Sequence, residues 1–283
     1  MTYSELEKRV VEAIQPLYGP VEARSIQRFL FSCFADIEPA RYLLLRMEEA
    51  DQAFEKKILN ALPQLAEFVP VQYVTGKSWF CGHEFFVKPG VLIPRPETEE
   101  LVAMIIKKHS HRKDLRLLDI GTGSGAIAIS LAISLPVAQI TAIDISNTAL
   151  EVSKINAASN KAKVNFVQAD ILKESSLTDF PKYNLIVSNP PYVKQSERSA
   201  MKRNVLDYEP GLALFVEDSD PLLFYRKISE FARKHLEPEG ELWFEINEAE
   251  AENINKMLIT LDFSNIQVYK DINSKNRFVS ATF

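Results

Sequence analysis

From about residue 110 onward, short apolar segments alternate with segments of helical pattern. The apolar segments lie at 115–120, 139–143, 164–168, 183–188 and 241–246, and two more follow at 266–270 and 277–282. Such alternation is typical of an α/β fold in which helices cover both faces of a parallel, doubly wound sheet. The sequence therefore predicts a seven-stranded, mostly parallel sheet.

The first 75 residues have a different pattern. Leu6, Val10 and Ile14 recur at helical spacing, and Gly19-Pro20 is a stop signal, with further helices predicted near 21–35, 38–49 and 51–67. Aromatic and β-branched residues flank Cys81-Gly82, which predicts a hairpin at 79–87. We therefore expect a helical-bundle domain at 1–75, a hairpin linker at 76–95 and a second domain at 96–283.

Charge and cysteine content narrow the function classes. The net charge of −5 and the pI of about 5.6 disfavour a strong electrostatic grip on duplex nucleic acid. Cys33 and Cys81 match no metal or disulfide spacing. The N-terminus, MTYSELEKRV, carries charges where a signal peptide needs an apolar core. We expect a cytoplasmic monomer without a metal ion or a membrane anchor.

A glycine-rich turn joins the first predicted strand of the sheet to a helix. It lies within LLDIGTGSGAIAISL, residues 117–131, and contains Gly121, Gly123 and Gly125. Glycines allow a tight turn and close approach of a ligand to the backbone. Asp144 ends the next strand, nineteen positions beyond Gly125, where a carboxylate can accept hydrogen bonds from both hydroxyls of a ribose.

The segment SNPPYV, residues 188–193, follows the fourth predicted strand of the sheet. Two prolines end a strand, because each fixes φ and lacks a donor. An amide or exocyclic amino nitrogen is a poor nucleophile, since its lone pair is delocalised. The side-chain oxygen of Asn189 and the carbonyl of Pro190, held rigid by Pro191, can accept from the two N–H groups of such a nitrogen and orient it. Tyr192 offers a flat face to a planar substrate group.

The G-x-G-x-G spacing after Asp119 resembles the S-adenosylmethionine loop of class I methyltransferases, so the resemblance implies a Rossmann-like fold and that cofactor. Residues after the third strand flank the adenine in that family. The implied cofactor contacts are Asp119, Gly121, Thr122, Gly123, Ser124, Gly125, Asp144, Ile145, Asp170, Ile171 and Asn189.

The segments YVTGKSWFCGHEFFV, VLIPRPETEELV, DYEPGLALF and GELWFEI resemble the HemK family over nearly the whole chain. Members of that family methylate the glutamine side chain in the Gly-Gly-Gln motif of class 1 peptide chain release factors. The resemblance implies that the N-terminal domain binds the release factor while Asn189 holds the glutamine amide. Two departures are a Glu at position 97 in place of the commoner Asp, and KDINSKNRF, which has no glycine after its Asp.

Other functions remain open from the residues alone. NPPY also fits adenine- or cytosine-modifying nucleic-acid methyltransferases and a glutamine methyltransferase for a ribosomal protein. A non-catalytic cofactor-binding protein is the third class. Arg95, Glu97 and Thr98 are candidates to line the site, although a rigid linker and helix cap explain Glu97 and Thr98 equally well.

Overall fold

A computed structural model describes residues 1–35, 39–177 and 179–283. Its α-helices are α1 (Tyr3–Phe34), α2 (Pro39–Leu45), α3 (Gln52–Ala66), α4 (Val71–Thr75), α5 (Pro96–His109), α6 (Ala126–Ser134), α7 (Asn147–Ser159), α8 (Arg203–Leu206), α9 (Gly211–Leu214), α10 (Leu223–His235) and α11 (Ala251–Thr260). Short 3₁₀ helices lie at Glu174–Ser176, Gln195–Ala200 and Glu248–Glu250.

Its strands are β1 (Lys77–Phe80), β2 (His83–Phe86), β3 (Arg116–Ile120), β4 (Gln139–Asp144), β5 (Asn165–Gln168), β6 (Tyr183–Ser188), β7 (Val193–Lys194), β8 (Phe215–Val216), β9 (Leu236–Glu245), β10 (Ser264–Lys270) and β11 (Asn276–Thr282). The chain divides into two compact units. One comprises 1–77 with 202–208, and the other comprises 78–201 with 209–283.

The smaller unit is helical. Its core is a cluster of apolar side chains from α1 and α3, among them Leu6, Leu30 and Ile58. The predicted stop at Gly19 is a kink within α1, because Gly19 adopts φ 78° while the helix resumes after it. The segment 202–208 belongs to this unit, where the Tyr208 hydroxyl donates to the carbonyl of Glu67 at 2.7 Å.

The helix predicted at 38–49 begins with a residue outside the described part of the chain, and the described helix, α2, ends at Leu45. The backbone carbonyls just beyond α2 accept from the first turn of α1: Ser4 N–H donates to Arg46 O at 2.9 Å, and Tyr3 N–H donates to Glu48 O at 3.1 Å. These bonds satisfy donors that every helix start leaves free. They therefore favour the early end of α2.

The larger unit is built on a seven-stranded sheet with the order β10-β11-β9-β6-β3-β4-β5. The pairs among β9, β6, β3, β4 and β5 are parallel, and β11 runs antiparallel to β9 and β10. Successive residues face opposite sides of a strand. In β3, Leu117 joins one buried cluster and Leu118 joins the other, so helices cover both faces as the unbroken apolar runs predict.

This topology positions the site. Parallel strands place their carboxyl ends at one edge of the sheet, where ligands of such folds bind. The ends of β3, β4, β5, β6 and β9 meet there. Strands β1 and β2 pair across the Cys81-Gly82 turn, as the sequence predicts. In the described part of the chain, no helix has the length and apolar character needed to cross a membrane.

Candidate active site

A cavity of about 250 Å³ opens at the carboxyl edge of the sheet, within the larger unit. The residues predicted from the sequence that line it are Gly121, Thr122, Gly123, Ser124, Asp144, Ile145, Asp170, Ile171, Asn189, Pro190 and Pro191. The structure thus brings the ends of four strands around one space.

The glycine loop begins where β3 ends. Gly123 adopts φ 57°, and a Cβ built there would meet nothing within 4 Å. The glycine is therefore required by the left-handed backbone conformation, and the space beside it stays open to a ligand. The Gly123 N–H points to the carboxylate of Asp144, with 2.9 Å between nitrogen and Oδ2.

Asp144 links the loop to the start of α7. Its Oδ2 accepts from Gly123 N–H and its Oδ1 accepts from Ser146 N–H, each at 2.9 Å. Burial raises the pKa of this carboxyl group, and the backbone donors oppose that rise. Each carboxylate oxygen has a second acceptor direction, so Asp144 retains the capacity to bind the hydroxyls of a ribose.

Asp170 and Ile171 lie just beyond β5, on the same cavity wall. Asp170 Oδ1 accepts from Leu172 N–H at 3.0 Å, and its other oxygen lies 3.4 Å from the ammonium nitrogen of Lys173. The open glycine loop, the carboxylate of Asp144 and this wall together fit S-adenosylmethionine.

Asn189 stands at the end of β6 and is tied to a buried hydrogen-bonded chain. Its Nδ2 donates to Thr98 Oγ1 at 3.3 Å, and the Thr98 hydroxyl donates to Glu245 Oε2 at 2.6 Å. The Tyr192 hydroxyl donates to the other oxygen of Glu245 at 3.2 Å. Among the described residues, no donor reaches the Oδ1 atom of Asn189. That oxygen remains available as an acceptor at the cavity.

Three of the predicted catalytic and cofactor-binding residues do not line the cavity. Tyr192 contacts Glu245 instead and packs against the sheet core. Gly125 is the N-cap of α6, and a Cβ built there would lie 2.7 Å from Ile129 Cδ1. Asp119 is fully buried beneath the loop and accepts from the Thr122 hydroxyl at 2.7 Å. Burial raises the pKa of Asp119 to about 7, which fits a residue that supports the loop from behind.

Residues of the segment 94–98 also contribute to the cavity wall. Arg95 and Thr98 line the cavity, whereas Glu97 does not. Thr98 lies in the first turn of α5 but does not cap it, because its hydroxyl is directed to Glu245. Glu209 fixes this wall: its carboxylate accepts from Ile93 N–H at 3.1 Å and from the Arg95 guanidinium at 2.6 Å.

Sequence reasoning missed three residues of this site. Glu245 is the last residue of β9. Because β9 runs parallel to β6, its carboxyl end lies at the same edge of the sheet, and this direction could have placed Glu245 near the site. Glu209 lies within DYEPGLALF, which supports the family resemblance but to which no residue role was assigned. Asn156 is buried in α7, where its side-chain nitrogen donates to the carbonyls of Ser124 at 2.9 Å and Phe86 at 3.0 Å. It thereby joins the glycine loop to the hairpin.

Comparison with known proteins identifies relatives of this chain. The model of the methyltransferase small domain family (MTS) matches residues 97–207. A release factor glutamine methyltransferase of Flavobacterium psychrophilum is 40% identical over 286 residues, which cover 100% of both chains. One of Bacteroides thetaiotaomicron is 40% identical over 270 residues, covering 95% of this chain and 96% of the relative.

The fold has solved counterparts as well. The crystal structure of a methyltransferase from Pyrococcus furiosus superposes with a TM-score of 0.52 at 18% identity, over 82% of this chain and 98% of that chain. At this identity the likeness concerns the fold alone. With two relatives of 40% identity over nearly its whole length, the chain belongs to the release factor glutamine methyltransferase family, which is a family of S-adenosylmethionine-dependent enzymes.

Proposed function

We propose that this protein transfers a methyl group from S-adenosylmethionine to the side-chain amide nitrogen, N5, of the glutamine in the Gly-Gly-Gln motif of class 1 peptide chain release factors. Membership of the release factor glutamine methyltransferase family supports this methyl-transfer reaction. The observation that carries the proposal is the unpaired acceptor of Asn189 at the cavity, beside the glycine loop and Asp144. An amide oxygen of this kind can accept a hydrogen bond from a carboxamide NH₂.

The chemistry divides between cofactor and protein. When bound, S-adenosylmethionine supplies an electrophilic methyl carbon on a sulfonium. Asn189 Oδ1 accepts one N–H of the target amide, and the Pro190 carbonyl accepts the other. These two bonds orient the nitrogen, so no strong base is needed before attack. The N–CH₃ bond would form as the S–CH₃ bond of the cofactor breaks, and the nitrogen would then release one of its protons to water, with S-adenosylhomocysteine as the other product. Orientation and the electrostatic match of the two acceptors then supply most of the rate enhancement.

The cavity walls have supporting roles in this proposal. Gly123 leaves the backbone open to the cofactor, and Asp144 binds its ribose, while Asp170 and Ile171 flank the adenine. The rigid pair of prolines fixes the direction of the Pro190 carbonyl. The helical unit would bind the body of the release factor, in the cytoplasm where translation takes place.

Methylation of a purified release factor tests the proposal. The protein, S-adenosylmethionine and a class 1 release factor are combined, and the methylated peptide is identified by mass spectrometry. We expect one methyl group on the glutamine of Gly-Gly-Gln. A release factor with that Gln changed to Ala is the matched control, and equal methylation of this control would refute the proposal. Transfer to a ribosomal protein or to nucleic acid instead would establish one of the alternative substrates.

A further inference from the structure

Asn189 can serve the reaction in only one of two orientations. Its oxygen must face the target amide, because the amide NH₂ of the substrate is a donor. Rotation by half a turn about the last side-chain bond would present the Asn189 NH₂ instead, and two donors would then oppose each other. The amide oxygen and NH₂ have nearly the same size and shape, so the hydrogen-bond network must specify which orientation is present.

The hydrogen-bond network specifies the orientation of the Asn189 amide through Glu245. A carboxylate accepts hydrogen bonds and donates none. Thr98 lies 2.6 Å from Glu245 Oε2 and Tyr192 lies 3.2 Å from Oε1, so both hydroxyls direct their hydrogen to Glu245. The oxygen of Thr98 then has only lone pairs left for Asn189, which must present Nδ2, as the 3.3 Å contact shows.

Burial disfavours the charged, acceptor-only form of Glu245, and three neighbouring groups stabilise that form in part. The side chains of Thr98 and Glu245 are buried, with 4% and 1% of their surface exposed. Burial raises the pKa of Glu245, while the Thr98 hydroxyl, the charge of Arg277 and the Tyr192 hydroxyl oppose that rise. A buried chain of this kind keeps one direction of donation while Glu245 accepts from both hydroxyls.

We propose that Thr98 and Glu245 are positioning residues that hold the Asn189 amide with its oxygen toward the substrate nitrogen. This inference rests on the proposed function, since it assigns a polarity to the acceptor that the function needs. Tyr192 takes part by donating to the second oxygen of Glu245, rather than by packing on the substrate.

Three variants test the polarity. Thr98→Val keeps the shape but removes the hydroxyl, and we expect kcat for the release factor to fall about tenfold or more, as for loss of one buried hydrogen bond. KM and the affinity for S-adenosylmethionine should change little. Thr98→Ser restores the hydroxyl, so it should recover the rate. Thr141→Val, in β4 and away from the cavity wall, is the matched control.

Glu245→Gln is the sharper variant, because it keeps the shape and introduces a donor. The Gln NH₂ can donate to Thr98, which then donates to Asn189 and stabilises the reversed amide. We expect at least a tenfold loss of kcat, by the same hydrogen-bond energy. Thermal melting and calorimetric binding of S-adenosylmethionine establish that each variant is folded; if Thr98→Val fails to fold, Glu245→Gln still decides the question.

A double-mutant cycle separates positioning from general stability. In the Asn189→Ala background there is no amide to orient, so Thr98→Val should change kcat by less than about twofold, because coupled residues are non-additive. An equal loss in both backgrounds would overturn the inference, as would a wild-type rate in either Thr98→Val or Glu245→Gln.

A second readout does not depend on turnover. In ¹⁵N NMR spectra the Asn189 side-chain NH₂ signal is the one that disappears in Asn189→Asp. We expect that signal to shift and to exchange with solvent faster in Thr98→Val and to remain unchanged in Thr141→Val. An unchanged signal in Thr98→Val would contradict the inference. Absence of glutamine methylation by the wild-type protein would instead contradict the proposed function, so the two failures are distinguishable.

Discussion

Replacement of Asp144 by Ala separates cofactor binding from loop stability. In the folded chain the carboxylate accepts from Gly123 N–H and Ser146 N–H, each at 2.9 Å, and in our proposal it also binds the ribose of S-adenosylmethionine. Asp144→Ala removes the acceptor for all of these donors at once. We therefore expect two distinct losses, one in the stability of the folded protein and one in cofactor affinity.

The two magnitudes follow from the number and kind of bonds. A hydrogen bond to a charged group contributes about 1.5–3 kcal/mol, so loss of a single ribose bond should raise the Kd roughly 10- to 150-fold. The two backbone donors are partly reached by water in the variant. Their loss should lower the free energy of unfolding by about 1–3 kcal/mol, at the scale of a lost helix cap.

Isothermal titration calorimetry gives the affinity, and urea denaturation gives the stability. Asp51→Ala is the matched control, because Asp51 also accepts from two backbone donors, Ala53 N–H at 2.8 Å and Phe54 N–H at 3.1 Å, at the start of α3. We expect this control to lose stability and to keep the wild-type Kd. An unchanged Kd in Asp144→Ala, or an equal loss of affinity in both variants, would refute the role assigned to Asp144.

Three further predictions concern other parts of the site. Asn189→Ala should bind S-adenosylmethionine as the wild type does and lose roughly 10² or more in kcat, because orientation is the main catalytic resource; rapid-quench assays measure this, and a wild-type kcat would contradict it. A Cβ at Gly125 would lie 2.7 Å from Ile129 Cδ1, whereas a Cβ at Gly123 would meet nothing within 4 Å. Gly125→Ala should therefore lower the free energy of unfolding, measured by urea denaturation, by about 1–3 kcal/mol more than Gly123→Ala does. Equal losses in the two variants would contradict this packing argument. Burial raises the pKa of Asp119 from 3.8 to about 7, so the folded protein retains a proton that the unfolded chain releases, and the free energy of unfolding should fall as pH rises from about 4 to 7. Asp119→Asn should flatten this slope in denaturation curves measured across that range, and an unchanged slope would contradict the assignment.

The sheet could be predicted from the sequence because apolar periodicity reports burial directly. The strand at 183–188 coincides with β6, and the run 115–120 differs from β3 by one residue. Strand β9 begins five residues before the predicted start at 241, because Leu236 also pairs with Tyr183 before the register shifts. Such an irregular extension depends on a partner strand, and no local pattern records it.

The residues of the candidate site that could be predicted from the sequence are those that lie in short, distinctive motifs. Asn189, Asp144 and the glycine loop could be identified, since glycines, a carboxylate at a strand end and two prolines each restrict the backbone or the binding partner. Glu245 and Glu209 could not, because their roles arise from contacts with residues that lie between 53 and 147 positions away in the chain. A carboxylate within an apolar strand does not fit the hydrophobic pattern of that strand, and its role becomes clear only when its hydrogen-bond partners are known.

The structure of a complex would test the central claim most directly. The protein is crystallised with S-adenosylhomocysteine and a peptide that contains Gly-Gly-Gln. The account predicts that the glutamine amide nitrogen lies about 2.7–3.2 Å from both Asn189 Oδ1 and the Pro190 carbonyl oxygen, on the side of the cavity that holds the cofactor sulfur. A glutamine bound elsewhere, or an Asn189 side chain turned away from it, would contradict the account.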